Sequence, residues 1–142
     1  MTNLDAMIRL AREAMDQAHA PYSKFRVGAA LRSSDGRLFS GCNVENASFP
    51  EGWCAETSAI AAMVRAGSRE IQEVVVLTSS DEPCAPCGGC RQRLNEFAAP
   101  EVPIHMVTRS GLRRTATLGE LLPHSFGIDH LLNPTVAPGT GG

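Results

Sequence analysis

The residues that most limit how this chain can fold are Val74-Val-Val-Leu77, an apolar run without polar alternation. A strand of that kind needs cover on both faces, which places it centrally in a sheet between helical layers. The flanking patterns supply those layers. Leu4, Met7, Ile8, Ala11, Ala14, Met15 and Ala18 recur at helical spacing behind a Thr2/Asn3 cap, and Pro21 ends the pattern. Residues 55–66 read as a second helix, with Ile60, Met63 and Val64 on one side and Gly67 as its C-terminal cap. Residues 89–97 read as a third, and residues 118–122 as a short one before Pro123.

Residues 27–31 and 37–42 flank Ser33-Ser-Asp-Gly36, whose Asp-Gly pair favours a tight turn, so they form a β-hairpin. Residues 104–107 add another strand. The order α-β-β-α-β-α-β-α implies an α/β fold with one sheet, parallel after the opening hairpin and sandwiched between helices. At 142 residues the chain is expected to be a single domain over residues 1–132. Residues 133–142, rich in Pro and Gly, are expected to be a flexible tail.

Thirteen Lys and Arg against fifteen Asp and Glu leave a net charge of −2, which offers no cationic footprint to a polyanion. One Trp, one Tyr and five Phe are also too few for a stacking groove, so no nucleic-acid partner is expected. No apolar run approaches the roughly 20 residues that cross a bilayer, so no membrane association is expected. Charges at Asp5, Arg9, Arg12, Glu13 and Asp16 interrupt the N-terminus as a signal peptide would not. The expected location is therefore cytoplasmic, where five cysteines point to metal ligation or catalysis more than to disulfides.

Cys54 stands just ahead of the second helix, and Cys84, Cys87 and Cys90 lie in Pro83-Cys-Ala-Pro-Cys-Gly-Gly-Cys90 at the start of the third. Free amides at helix starts favour thiolates, which makes zinc the natural metal. Cys87 and Cys90 would supply two ligands from one turn, and Cys54, 33 residues before Cys87, a third. Adding Cys84 would instead give a closed structural site of four cysteines, and a redox pair at Cys87 and Cys90 is a further reading. Glu56, two residues after a prospective ligand, could place its carboxylate over an open metal position as a proton shuttle. It could equally be a favourable partner of the helix dipole.

Cys54-Ala-Glu56 together with Pro86-Cys-Gly-Gly-Cys90-Arg-Gln92 resembles the signature of the zinc-dependent cytidine deaminases. The likeness extends through Ala20-Pro-Tyr-Ser-Lys-Phe25, Val27-Gly-Ala-Ala30, Gly41-Cys-Asn-Val-Glu-Asn46 and Leu121-Leu-Pro-His-Ser-Phe126, nearly the whole chain. It matches the short homotetrameric branch. The resemblance implies a three-layer α/β/α sandwich with a mixed five-stranded sheet, one Zn²⁺ per chain on Cys54, Cys87 and Cys90, and Glu56 as the catalytic proton carrier. It further implies a nucleoside pocket in which Phe25 packs on the base, Asn43 and Glu45 bind the ribose, and Ala55 and Phe126 contribute. Phe126 and Ala47-Ser48-Phe49 resemble elements that complete a neighbouring subunit's pocket.

The implied reaction turns cytidine and 2′-deoxycytidine into uridine and 2′-deoxyuridine with release of ammonia, as in pyrimidine salvage. A relative acting on another aminopyrimidine such as blasticidin S, and a noncatalytic zinc module, are the alternatives. His19, His105, His124 and His130 match no metal position and are read as surface or structural. One departure stands out. After Cys-Ala-Glu many relatives carry an arginine that donates to the zinc thiolates, whereas this chain has Thr57. Helix-start amides, the Thr57 hydroxyl, and Arg91 or another cation are the candidates to replace it.

Overall fold

A computed structural model describes residues 2–132; the expected tail, residues 133–142, lies outside them. Helix α1 (Asn3–Asp16) begins at a capping box in which the Thr2 hydroxyl accepts from the Asp5 amide at 3.0 Å and the Asp5 carboxylate accepts from the Thr2 amide. The hairpin follows as β1 (Val27–Ser33) and β2 (Leu38–Cys42), turning through Gly36 at φ +87°. Helix α2 (Ala55–Arg65) leads to β3 (Ile71–Thr78), α3 (Gly88–Asn95) to β4 (Pro103–Thr108), and β5 (Arg113–Thr117) to α4 (Leu118–Leu121) and α5 (Ile128–Leu132).

The sheet order is β2-β1-β3-β4-β5, so the strand carrying Val74–Leu77 is central, as its composition requires. Alternation along the strands divides the core in two. Ala29, Leu31, Val74, Val76, Ile104 and Met106 pack with α2, Leu94 of α3 and Leu118 of α4 on one face. Ala30, Val75, Leu77 and Val107 pack with Met7, Ala11 and Met15 of α1 on the other. The result is the three-layer sandwich with a mixed five-stranded sheet.

Two expectations drawn from periodicity need correction. Only β3 and β4 are parallel, and the sheet closes on β5, antiparallel to β4. Arg113-Arg-Thr-Ala-Thr117 escapes a hydrophobic reading because it is an edge strand whose first three residues are exposed. Helix α5 was likewise not anticipated; it is five residues long and buries none of them, so burial imposes no pattern on it.

Both helical layers approach the hairpin through glycine. A Cβ on Gly28 would stand 1.8 Å from the Ala11 carbonyl oxygen in α1, and one on Gly41 would stand 2.5 Å from the Ala59 nitrogen in α2. Any side chain there would have to push a helix off the sheet. The second contact seats α2, which starts at Cys54. Among the described residues no helix is long and apolar enough to cross a membrane.

Candidate metal centre and active site

Cys54 is the N-cap of α2 and Cys87 the N-cap of α3, neither using its side chain to cap the helix, and Cys90 occupies the third position of α3. The two helix starts converge by the C-terminal end of β3, the end of a parallel strand at which open α/β sheets place their ligand crevices. A bridge between Val44 and Trp53, with 2.9 Å hydrogen bonds in both directions, pins the base of the loop that delivers Cys54.

The Sγ atoms of Cys54, Cys87 and Cys90 all lie within 4.8 Å of one another. Three thiolates bonded to a tetrahedral Zn²⁺ at about 2.3 Å would be about 3.8 Å apart, so this donor set fits zinc. Cys84 is outside the cluster, its thiol donating to the Glu82 carbonyl at 3.4 Å. The clustered donors are therefore three thiols, and three protein ligands with an open fourth position are the arrangement of catalytic zinc. Within the cluster the Cys54 thiol is drawn down to about 6, because Cys90 beside it hydrogen-bonds to its thiolate. The same shared proton, with burial, pushes the Cys90 thiol up.

Cys54 and Cys87 form part of the wall of a cavity of about 410 Å³ that also takes in Phe25, Asn43, Glu45, Phe49, Ala55 and Glu56. A volume of that size suits a small organic ligand. Glu56 is 4% exposed, and burial raises its carboxyl above the ordinary range, with the Cys54 charge adding to the effect. It stands beside the thiol cluster without belonging to it. Phe25 is 41% exposed, too open for a core residue.

Asn43 and Glu45 are held by the main chain around them. The Asn43 side chain accepts from the Val27 amide at 2.9 Å and donates to the Phe25 carbonyl at 2.8 Å, fixing Phe25 in place. Glu45 accepts from the Tyr22 and Ser23 amides and from the Ser23 hydroxyl, which hold its carboxyl below the usual range. Ala47 and Ser48 are exposed on the loop. Phe126 is not in this chain's own cavity: its carbonyl accepts from Gln92 and Asn95, its ring stacks on His130, and it is 56% exposed.

Some neighbours of the site were missed in the sequence. Trp53 and Thr78 line the cavity, and the Thr78 hydroxyl is buried without a hydrogen-bond partner. A threonine ending an apolar strand carries no signal of its own. Of the candidates to replace the missing arginine, the Thr57 hydroxyl is buried and makes no hydrogen bond. Arg91 is committed elsewhere, donating to the Pro86 and Leu121 carbonyls at 2.8 and 2.9 Å. The histidine reading agrees with the structure at His105, which is buried between Thr115 and Glu73 at 2.8 and 2.7 Å.

Residues 1–106 match the family model for the cytidine and deoxycytidylate deaminase zinc-binding region. The chain is 36% identical over 129 residues to the cytidine deaminase of Sporosarcina psychrophila, covering 91% of this chain and 95% of that one. It is 39% identical over 122 residues to the cytidine deaminase of Mycobacterium tuberculosis, covering 85% and 87%. Among solved structures, the cytidine deaminase from Burkholderia pseudomallei superposes with a TM-score of 0.83 at 41% identity, over 89% of this chain and all of that one.

Proposed function

The chain belongs to the cytidine and deoxycytidylate deaminase family, and from that premise we infer that it hydrolyses cytidine and 2′-deoxycytidine to uridine, 2′-deoxyuridine and ammonia. The observation that carries the reading is three thiols within 4.8 Å of one another beside a buried acid on the wall of one cavity. Cys54, Cys87 and Cys90 would hold the zinc, which when bound would supply Lewis-acid activation of water.

Glu56 does the proton work. Burial makes its carboxylate readier to take a proton than an exposed glutamate, so it accepts one from the attacking water and passes it to N3 of the pyrimidine. It then helps a proton reach the C4 amino group, which leaves as ammonia while oxygen takes its place. The Phe25 ring packs on the base, and Ala55 lines the floor beside the acid. Asn43 and Glu45, already fixed by backbone bonds, present their remaining acceptor and donor capacity to the ribose hydroxyls. An ultraviolet assay of zinc-replete protein with cytidine, cytosine and blasticidin S tests the reading. Turnover of the simple nucleoside is expected, and turnover of blasticidin S alone would move the chain to the related aminopyrimidine class.

We also propose that residues 1–132 act as one domain of a homotetramer in the cytoplasm, serving pyrimidine salvage. Support comes from aromatic surface left open: Phe49 and Trp53 on the cavity wall, and Tyr22 edge-on to Phe49, are each at least half exposed, and Phe126 projects elsewhere. Symmetric assembly would let Phe126 and the segment Ala47-Ser48-Phe49 of one subunit close the pocket of another. Dilution should then lower the activity per protomer as subunits separate, with sedimentation following the assay. A fully active monomer would return Phe126 to local packing.

A further inference from the structure

Zinc on three thiolates carries a net charge of −1, and the residue three positions beyond Cys54 is a threonine whose buried hydroxyl bonds to nothing. A positive charge close to the sulfurs is therefore to be sought on another element. Arg93 supplies it. Its Nη1 lies 3.9 Å from Sγ of Cys90, within reach of an N–H donor to sulfur. Cys90 itself is fully buried.

Two further features show that this contact is built. Positions 90 and 93 are one turn apart on the same face of α3, so the side chain can fold back along the helix toward the sulfur. It crosses Gly89, one turn before it, where a Cβ would sit 3.3 Å from Nη1 and 3.9 Å from Cζ of Arg93. The second glycine of Cys87-Gly-Gly-Cys90 thus clears the path of the guanidinium. Among the described residues, no carboxylate lies within salt-bridge distance of Arg93, so its charge is not spent on an acid. The neighbouring Arg91 points the other way and is held by two carbonyls.

We propose that Arg93 is a positioning residue of the metal centre, its guanidinium donating to the Cys90 sulfur from α3 and offsetting the negative charge of the loaded site. The inference rests on the zinc reading above. Exchange of thiol protons for Zn²⁺ leaves the loaded site negative, and a cation at this distance stabilises that state. Arg93 lines no part of the substrate cavity, so it has no direct hold on the nucleoside.

The test compares zinc-loaded wild type, Arg93→Met and Arg93→Lys, with the metal-binding dye 4-(2-pyridylazo)resorcinol as competitor. Loss of an outer partner of a metal ligand typically weakens metal binding about 10–100-fold. Arg93→Met should give up zinc to the dye at a concentration lower by a factor in that range. Arg93→Lys, keeping the charge without the fork, should recover part of the difference. In fully loaded protein, kcat of Arg93→Met should fall while KM for cytidine stays near the wild-type value. Circular dichroism should show the same fold in all three. Equal zinc retention in wild type and a folded Arg93→Met would overturn the proposal and leave the zinc site intact. A wild type that binds no zinc would instead overturn the reading beneath it. Should Arg93→Met fail to fold, Arg93→Lys with zinc retention below wild type supports the role, and retention equal to wild type together with an unchanged kcat opposes it.

Discussion

Glu56→Gln should fold, keep one zinc per chain and lose nearly all turnover. The amide matches the carboxylate in shape but cannot accept the proton of the attacking water. A general acid–base group contributes about 10²–10⁴-fold to rate, and one residue serving several transfers belongs at or above the top of that span. Zinc should stay because the carboxylate is outside the thiol cluster. Burial also argues for tolerance: at 4% exposure a neutral amide is easier to enclose than an ion. The measurements are metal content, circular dichroism and kcat on the same sample. A zinc-replete Glu56→Gln protein turning over at near the wild-type rate would remove Glu56 from the mechanism.

Gly28→Ala should be the most damaging single methyl group in the fold. Its Cβ would meet the Ala11 carbonyl oxygen at 1.8 Å and the Met15 nitrogen at 2.7 Å, both backbone atoms that no rotamer change can move. Helix α1 would have to lift from β1, exposing part of the cluster around Met7, Ala11 and Met15. Overpacking usually costs about 1–3 kcal/mol, and a clash with helix backbone falls at the upper end or beyond it. For a chain of this length that corresponds to a fall in thermal midpoint of roughly 10 °C. Gly36→Ala is the comparison: its Cβ meets nothing within 4 Å and suffers only from φ +87°, a strain of about 1 kcal/mol. Melting curves that rank Gly36→Ala as the worse of the two would contradict the packing argument.

The sequence was most readable where burial or capping imposes a pattern. Val74–Leu77 announced a central strand because both its faces are covered, and α1 announced its start through Thr2 and Asp5. Cys54, Cys87 and Cys90 could be grouped because two lie on one helical turn and the third begins another helix. The status of Cys84 could not be settled by spacing, since a fourth cysteine three residues from a ligand is compatible with both open and closed sites. In the structure its thiol turns to the Glu82 carbonyl, outside the cluster.

Strand β5 stayed hidden because an edge with two exposed arginines buries too little to show alternation. Arg91 drew attention by adjacency to Cys90, yet neighbours in a helix point about 100° apart, and it is the residue three positions on that returns to the same side. That relation was readable from helical geometry alone. The close seats at Gly28 and Gly41 were not, because they depend on which helix lies over which strand.

The clustered thiols stand at the starts of two helices, and the chain between them runs through β3, the central strand of the sheet. Their meeting point is set by the place of that strand between β1 and β4. Apolar burial in the sheet thus offsets the entropy of closing so long a loop and brings the three thiols to one place. This is the reverse of a zinc finger, whose polypeptide is unfolded until metal arrives. Here the sheet, with its two apolar clusters, supplies the core against which the site is assembled. The geometry of the site can therefore be tuned by single residues around the thiols, such as Arg93 and Gly89, without the architecture being remade each time.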